Sequence, residues 1–147
     1  MFFRELDKKV LVADSPMRLQ DMAAAAARGV TLAVNNRPDG EAFDQLDAAT
    51  LGEAARAAGL DYLHLPIELE FSGDKVEALL DAMNSAEGRV LLFCRSGTRS
   101  AYLWALARAR EGAVPEALAQ NAARAGYNLG PLMKWLKPRE GEGASPS

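Results

Sequence analysis

Apolar positions recur along the chain in two alternating patterns. Short runs of consecutive apolar residues mark strands, and stretches with helical spacing mark helices. Lys9 to Ala13 reads as a first strand. Asp14-Ser15-Pro16 then predicts a helix, with Ser15 as its cap and Pro16 in its first turn, running to about Arg28 before Gly29. Val30 to Val34 is apolar and β-branched and reads as a buried strand, followed by the dense turn signal Asn35-Asn36-Arg37-Pro38-Asp39-Gly40. Thr50 and Glu53 have capping-box spacing for a helix that ends near Gly59. Asp61 to Ile67 reads as a third strand, and Ser72 opens a helix to about Ala86. Arg89 to Phe93 is nearly all apolar, as expected of a strand covered on both faces. Helices follow at about Thr98–Arg110, from Pro115 to about Ala125, and over Leu129–Leu136. Beyond Pro138 only Arg, Glu, Gly, Ala, Ser and Pro occur, which predicts a disordered tail over 138–147 and one catalytic domain over 1–137.

Strand and helix alternate about four times before the final helices. That order predicts an α/β fold with a mostly parallel central sheet flanked by helices. In such sheets, sites form at the carboxyl ends of strands, where loops enter helix N-termini. Phe93 is one such end, and the only cysteine of the chain, Cys94, comes next.

The segment Cys94-Arg95-Ser96-Gly97-Thr98-Arg99-Ser100 is where chemistry is expected. A cysteine before a helix N-terminus, with Arg95 and Arg99 near it, is in a setting that favours the nucleophilic thiolate. Gly97 allows successive amide N–H groups to point inward as an anion nest. Ser96, Thr98 and Ser100 supply hydroxyl donors, and Arg99 can present a planar fork to two oxygens. Such a loop is expected to bind a tetrahedral oxyanion such as phosphate, sulfate or thiosulfate, with Cys94 placed for in-line attack.

Composition narrows the partners. With 17 Lys and Arg against 20 Asp and Glu, the net charge of −3 gives no reason to expect nucleic acid. One cysteine and one histidine cannot build a Cys/His metal cluster, and no cofactor is called for. The unpaired thiol, the first residues with no apolar stretch long enough for a signal peptide, and the absence of a membrane-length apolar run all lead to an expected cytoplasmic location. The expected ligand is a small oxyanion or persulfide.

Three further stretches join the cysteine loop in a resemblance. Val34 to Glu41, Ala58 to Ile67 and Ala125 to Leu129, together with Cys94 to Ser100, resemble the bacterial phosphatase-like domain of beta-lactamase-hydrolase-like proteins, over roughly residues 5–136. The resemblance implies a dual-specificity-phosphatase-like fold, with Cys94 as nucleophile and Arg99 as anion clamp. It also implies two reactions, because family members are described as phosphatases and as sulfurtransferases. Cysteine phosphatases use Cys-x5-Arg, usually after a His and with an Asp acid. This chain has Cys-x4-Arg, a rhodanese-like length, Phe93 before it, and Glu68 and Glu70 in the acid stretch. Sulfur transfer from thiosulfate needs no acid for its leaving group, so these departures favour a sulfurtransferase with a Cys94 persulfide. Phosphomonoester hydrolysis through a Cys94 phosphocysteine is the alternative, and an inactive anion-binding module is the third class.

Other residues carry paired readings. Arg37 and Asp39 either line the pocket or stabilise a turn. Glu68 and Glu70 are candidate general acids or solvated loop charges. His64 reads as structural, and Trp104 and Trp135 read as core.

Overall fold

The computed structural model describes residues 3–137. Five strands form one sheet: β1 (Phe3–Glu5), β2 (Val10–Ala13), β3 (Val30–Asn35), β4 (Asp61–His64) and β5 (Arg89–Phe93). Their spatial order is β1-β2-β5-β3-β4. The pairs β2–β5, β5–β3 and β3–β4 are parallel, and β1 adds an antiparallel edge. The helices are α1 (Asp21–Ala27), α2 (Ala48–Ala57), α3 (Gly73–Ser85), α4 (Thr98–Arg110), α5 (Pro115–Arg124) and α6 (Met133–Leu136), the last preceded by a 3-10 turn at Gly130–Leu132. This is the α/β architecture with a mostly parallel, helix-flanked sheet that the strand and helix order predicts.

Alternation along the strands builds two cores, one on each face of the sheet. Val10, Val12, Val90 and Leu92 pack into the larger core with Leu79 of α3 and Trp104 of α4. Leu11, Leu91 and Phe93 point the other way, onto Met22 of α1 and Leu51 of α2. β5 is therefore central and covered on both faces, which explains its near-continuous apolar sequence. Burying each such large side chain contributes roughly 1.5–3 kcal/mol. The carboxyl end of β5 is held by the same packing, and so is the residue that follows it.

Several local expectations are corrected. The first strand, β1, lies earlier than the apolar run at 9–13 and exposes two of its three residues, so its pattern is weak. Helix α1 starts at Asp21 rather than beside Ser15, whose hydroxyl bonds Asp14 instead of a helix amide. The cap of α2 is Asp47, which accepts from the Thr50 amide, and not Thr50. The strand expected over 61–67 stops at His64, where β3 also ends: Leu65 donates its amide to the carbonyl of Asn35, the last residue of β3, and Ile67 to that of Asn36 just beyond it. Trp104 is fully buried, but Trp135 is 67% exposed, because α6 is a single short turn that directs Leu136 and, in part, Met133 to the core. The tail expected over 138–147 lies outside the described residues. Among the described residues no helix is long and apolar enough to cross a membrane.

Candidate active site

The chain leaves β5 at Phe93 and enters α4 at Thr98, so Cys94 to Gly97 form the loop between them. Gly97 occupies the N-cap position of α4 at φ +94°, and no side chain caps the helix. The first amides of α4 are thus left for an anion. The Gly97 N–H donates to Cys94 Sγ at 3.2 Å. Cys94 itself is 1% exposed and lies at the floor of the loop.

One tyrosine fixes this arrangement. Tyr127 Oη donates to the Ser96 carbonyl at 2.8 Å. In a trans peptide the C=O and N–H point in opposite directions. Holding the Ser96 carbonyl outward therefore aims the Gly97 N–H at Sγ. Burial, reinforced by the charges of Asp14 and Cys94, pushes the Tyr127 phenol up to about 12, so it remains a donor across the neutral range. Tyr127→Phe is expected to lower turnover about tenfold while changing thermal stability little, since one hydrogen bond is lost and the ring stays. Steady-state kinetics beside a melting curve check this; equal losses in every thiol-independent property would assign Tyr127 to folding alone.

Arg99 is held on its far side. Its Nη1 and Nη2 donate to the two carboxylate oxygens of Glu41 at 2.6 and 2.9 Å, and Nη1 also donates to the Ile67 carbonyl at 2.8 Å. Glu41 Oε1 accepts in addition from Arg37 Nε at 3.1 Å. The Arg99 hydrogen bond, helped by Arg37 and opposed by partial burial, holds the Glu41 carboxyl below the usual carboxylate range. The same contact, opposed by burial, pushes the Arg99 guanidinium higher still. A carboxylate with a depressed native pKa stabilises the fold at neutral pH. That contribution fades as pH falls below about 4 and through the native value. Glu41→Gln is expected to flatten this part of the acid-unfolding curve and to cut turnover about tenfold, because Arg99 loses its bidentate anchor. Urea denaturation at several acidic pH values would show it.

The remaining loop residues divide. Arg95 is exposed and lines the cavity beside Cys94. The hydroxyls of Ser96 and Thr98 lie at the surface, 3.2 Å from each other. Ser100, expected to offer its hydroxyl to an anion, is buried and donates it to Asn36 Oδ1 at 2.8 Å. Asn36 also receives attention from both neighbouring strands: its amide N–H bonds the Phe93 carbonyl and its Nδ2 bonds the Leu65 carbonyl. The dense turn signal thus includes a buried asparagine that ties the ends of β3, β4 and β5 together.

The paired readings resolve by position. Asp39 accepts from the Ala48 amide at 2.7 Å, a turn and helix-start role, and does not line the cavity. Arg37 does line it. His64 Nε2 donates to the Arg37 carbonyl at 2.9 Å, a structural contact. Glu68 and Glu70 are exposed on the loop between β4 and α3, and neither bonds a described residue. That loop includes Ile67, whose carbonyl holds Arg99, so it borders the site. The cavity measures about 420 Å³, with Met17, Leu46, Leu51 and Phe93 among its apolar lining. No three His, Cys, Asp or Glu residues gather into a metal site among the described residues.

Sequence reasoning gave no role to Glu41 or Tyr127. The only local signal for Glu41 is its i,i+4 spacing from Arg37. Its partnership with Arg99 spans 58 residues and exists only in the fold.

The model of the phosphatase-like domain of beta-lactamase hydrolase-like proteins matches residues 3–111. The chain belongs to this family. A beta-lactamase hydrolase-like protein of Xylella fastidiosa is 31% identical over 135 residues, 90% of this chain and 31% of that protein. One from Agrobacterium fabrum is 29% identical over 134 residues, with the same coverage. The chain spans about a third of the length of the curated relatives it matches. Among solved structures, a candidate phosphatase from Neisseria meningitidis shares 29% identity at a TM-score of 0.81, covering 91% of this chain and 95% of that one. P. aeruginosa TpbA, solved with phosphotyrosine, is 21% identical at a TM-score of 0.60 over 81% of this chain and 70% of its own, a likeness of fold. The cysteine-phosphatase-like fold expected for this family is therefore the fold of this chain.

Proposed function

We propose that this chain is a cysteine-dependent phosphatase that hydrolyses phosphomonoesters through a Cys94 phosphocysteine. The observation that carries the reading is the Gly97 N–H on Cys94 Sγ, with Arg99 anchored beside it, in a fold shared with the Neisseria protein. The family and its structural neighbours support this alternative more directly than the sulfur transfer that the loop length favours.

In the first step the Cys94 thiolate attacks phosphorus, the S–P bond forms, and the P–O bond to the leaving alcohol breaks. The loop amides and Arg99 hold the equatorial oxygens. The leaving oxygen takes a proton, for which Glu68 and Glu70 on the bordering loop are the candidates. Water then attacks phosphorus, the S–P bond breaks, and phosphate leaves as the thiolate is restored.

Sulfur transfer is the second reading, favoured by one observation: neither Glu68 nor Glu70 lines the cavity that Cys94 lines. With thiosulfate, Sγ would bond the outer sulfur while the donor's S–S bond breaks, and sulfite departs without a proton.

A paired assay separates the two. Purified chain is offered p-nitrophenyl phosphate, and separately thiosulfate with cyanide. Phosphate release that falls tenfold or more in Glu68→Gln or Glu70→Gln is the expected result. Thiocyanate without phosphate, with a gain of one sulfur atom on Cys94 by mass spectrometry, rejects the phosphatase reading in favour of the second.

A further inference from the structure

Arg37 is 8% exposed and yet lines the cavity that Cys94 lines. Its Nε is spent on Glu41 and its backbone amide on Asn35 Oδ1. Its terminal Nη1 and Nη2 donate to no described residue. A guanidinium carries five N–H donors and no acceptor, so this edge presents unspent donors to the cavity. The charge count points the same way. Glu41 is one carboxylate shared by two guanidinium groups, so the trio keeps one positive charge in excess. At the rim the charges balance, with Arg18 paired to Asp21 and Arg95 set against Asp44, so the excess belongs to the Arg37–Arg99–Glu41 trio.

We infer that Arg37 is a second anion subsite, and that the natural ligand is a small organic molecule with two acidic ends. This rests on the reading that the Cys94 loop cradles a tetrahedral oxyanion. One end is the reacting group in that cradle. The other is a carboxylate received by the free Nη1–Nη2 edge of Arg37, whose planar fork matches two carboxylate oxygens. A short carbon body joins the ends across Phe93, Leu46 and Leu51. A cavity of about 420 Å³ suits a metabolite-sized ligand of this kind. Arg37 thereby sets specificity, while Cys94 and Arg99 perform the chemistry.

The test measures protection of Cys94 from alkylation by iodoacetamide, read by mass spectrometry on the full chain, and needs no turnover. Two phosphonates are compared: 3-phosphonopropionate, which carries the carboxylate, and propylphosphonate, which lacks it. The sulfonate pair 3-sulfopropionate and propanesulfonate is run in parallel. The carboxylate-bearing member of at least one pair is expected to protect at about tenfold lower concentration. Arg37→Met should erase that ratio and Arg37→Lys should keep part of it. Using a ratio cancels any effect of the variants on the loop that both ligands share. Equal protection within both pairs, or a ratio that survives Arg37→Met, overturns the subsite. If the carboxylate ratio is present while p-nitrophenyl phosphate is not hydrolysed, the phosphatase reading fails and the subsite stands.

Discussion

Cys94→Ser is expected to reduce turnover by a factor of about 10⁴ or more while the protein stays folded. The loss is large because a serine hydroxyl at neutral pH is a far weaker nucleophile than a thiolate, and among the described residues no carboxylate or imidazole hydrogen-bonds this position. Rescue by another thiol is excluded, since the chain has no other cysteine. The fold should tolerate the change. Sulfur and oxygen differ little in volume at this position, and the Gly97 N–H can donate to either atom. Phosphate release and thiocyanate formation, measured beside circular dichroism, check both halves of the expectation. A folded serine variant that keeps more than a few per cent of the activity would remove Cys94 from the chemistry of either reaction.

Gly97→Ala carries the second large effect. At φ +94° an alanine is strained before any contact is counted. Its Cβ would strike Tyr127 Oη and come within 2.7 Å of the Ala13 carbonyl, a backbone atom that cannot swing aside. Moving Tyr127 breaks its bond to the Ser96 carbonyl and frees the peptide that points at Sγ. Strain and overpacking together should cost about 3 kcal/mol. Turnover should fall at least a hundredfold, because the amide that meets Cys94 Sγ is displaced. Urea denaturation and kinetics on the same preparation test this. Adding Tyr127→Phe should restore little, since the Ala13 carbonyl still blocks the methyl group.

The centre of the fold was legible because its residues are dictated by burial. Val90 to Phe93 are apolar on both faces, and the chain from Cys94 into α4 carries its own signals in Gly97 and the pair of arginines. The periphery was harder to read. β1 is three residues long and mostly exposed, so nothing alternates strongly enough to mark it. Asp-Ser-Pro at 14–16 is a good helix start on paper, but Ser15 turns back to Asp14, and α1 waits for Asp21, whose carboxylate accepts the Arg18 amide. Trp135 looked like core because size and apolarity were visible in the sequence and the length of α6 was not. In the site, Cys94 and Arg99 could be named from local spacing. Glu41, Asn36 and Tyr127 work through partners 31 to 64 residues away, a distance that only the closed sheet removes.

The strand order puts Cys94 at the end of β5, with β2 on one side and β3 on the other. Most of the residues around the cavity come instead from the connections that leave those two neighbours, including Met17, Arg18 and Leu46. The connection after β2 supplies lining alone, whereas the one after β3 also carries Glu41, the anchor of Arg99. Insertions or exchanges in the two outer connections that spare Glu41 can retune what enters while Cys94 keeps its seat, so one scaffold can be redirected to new compounds without rebuilding its engine.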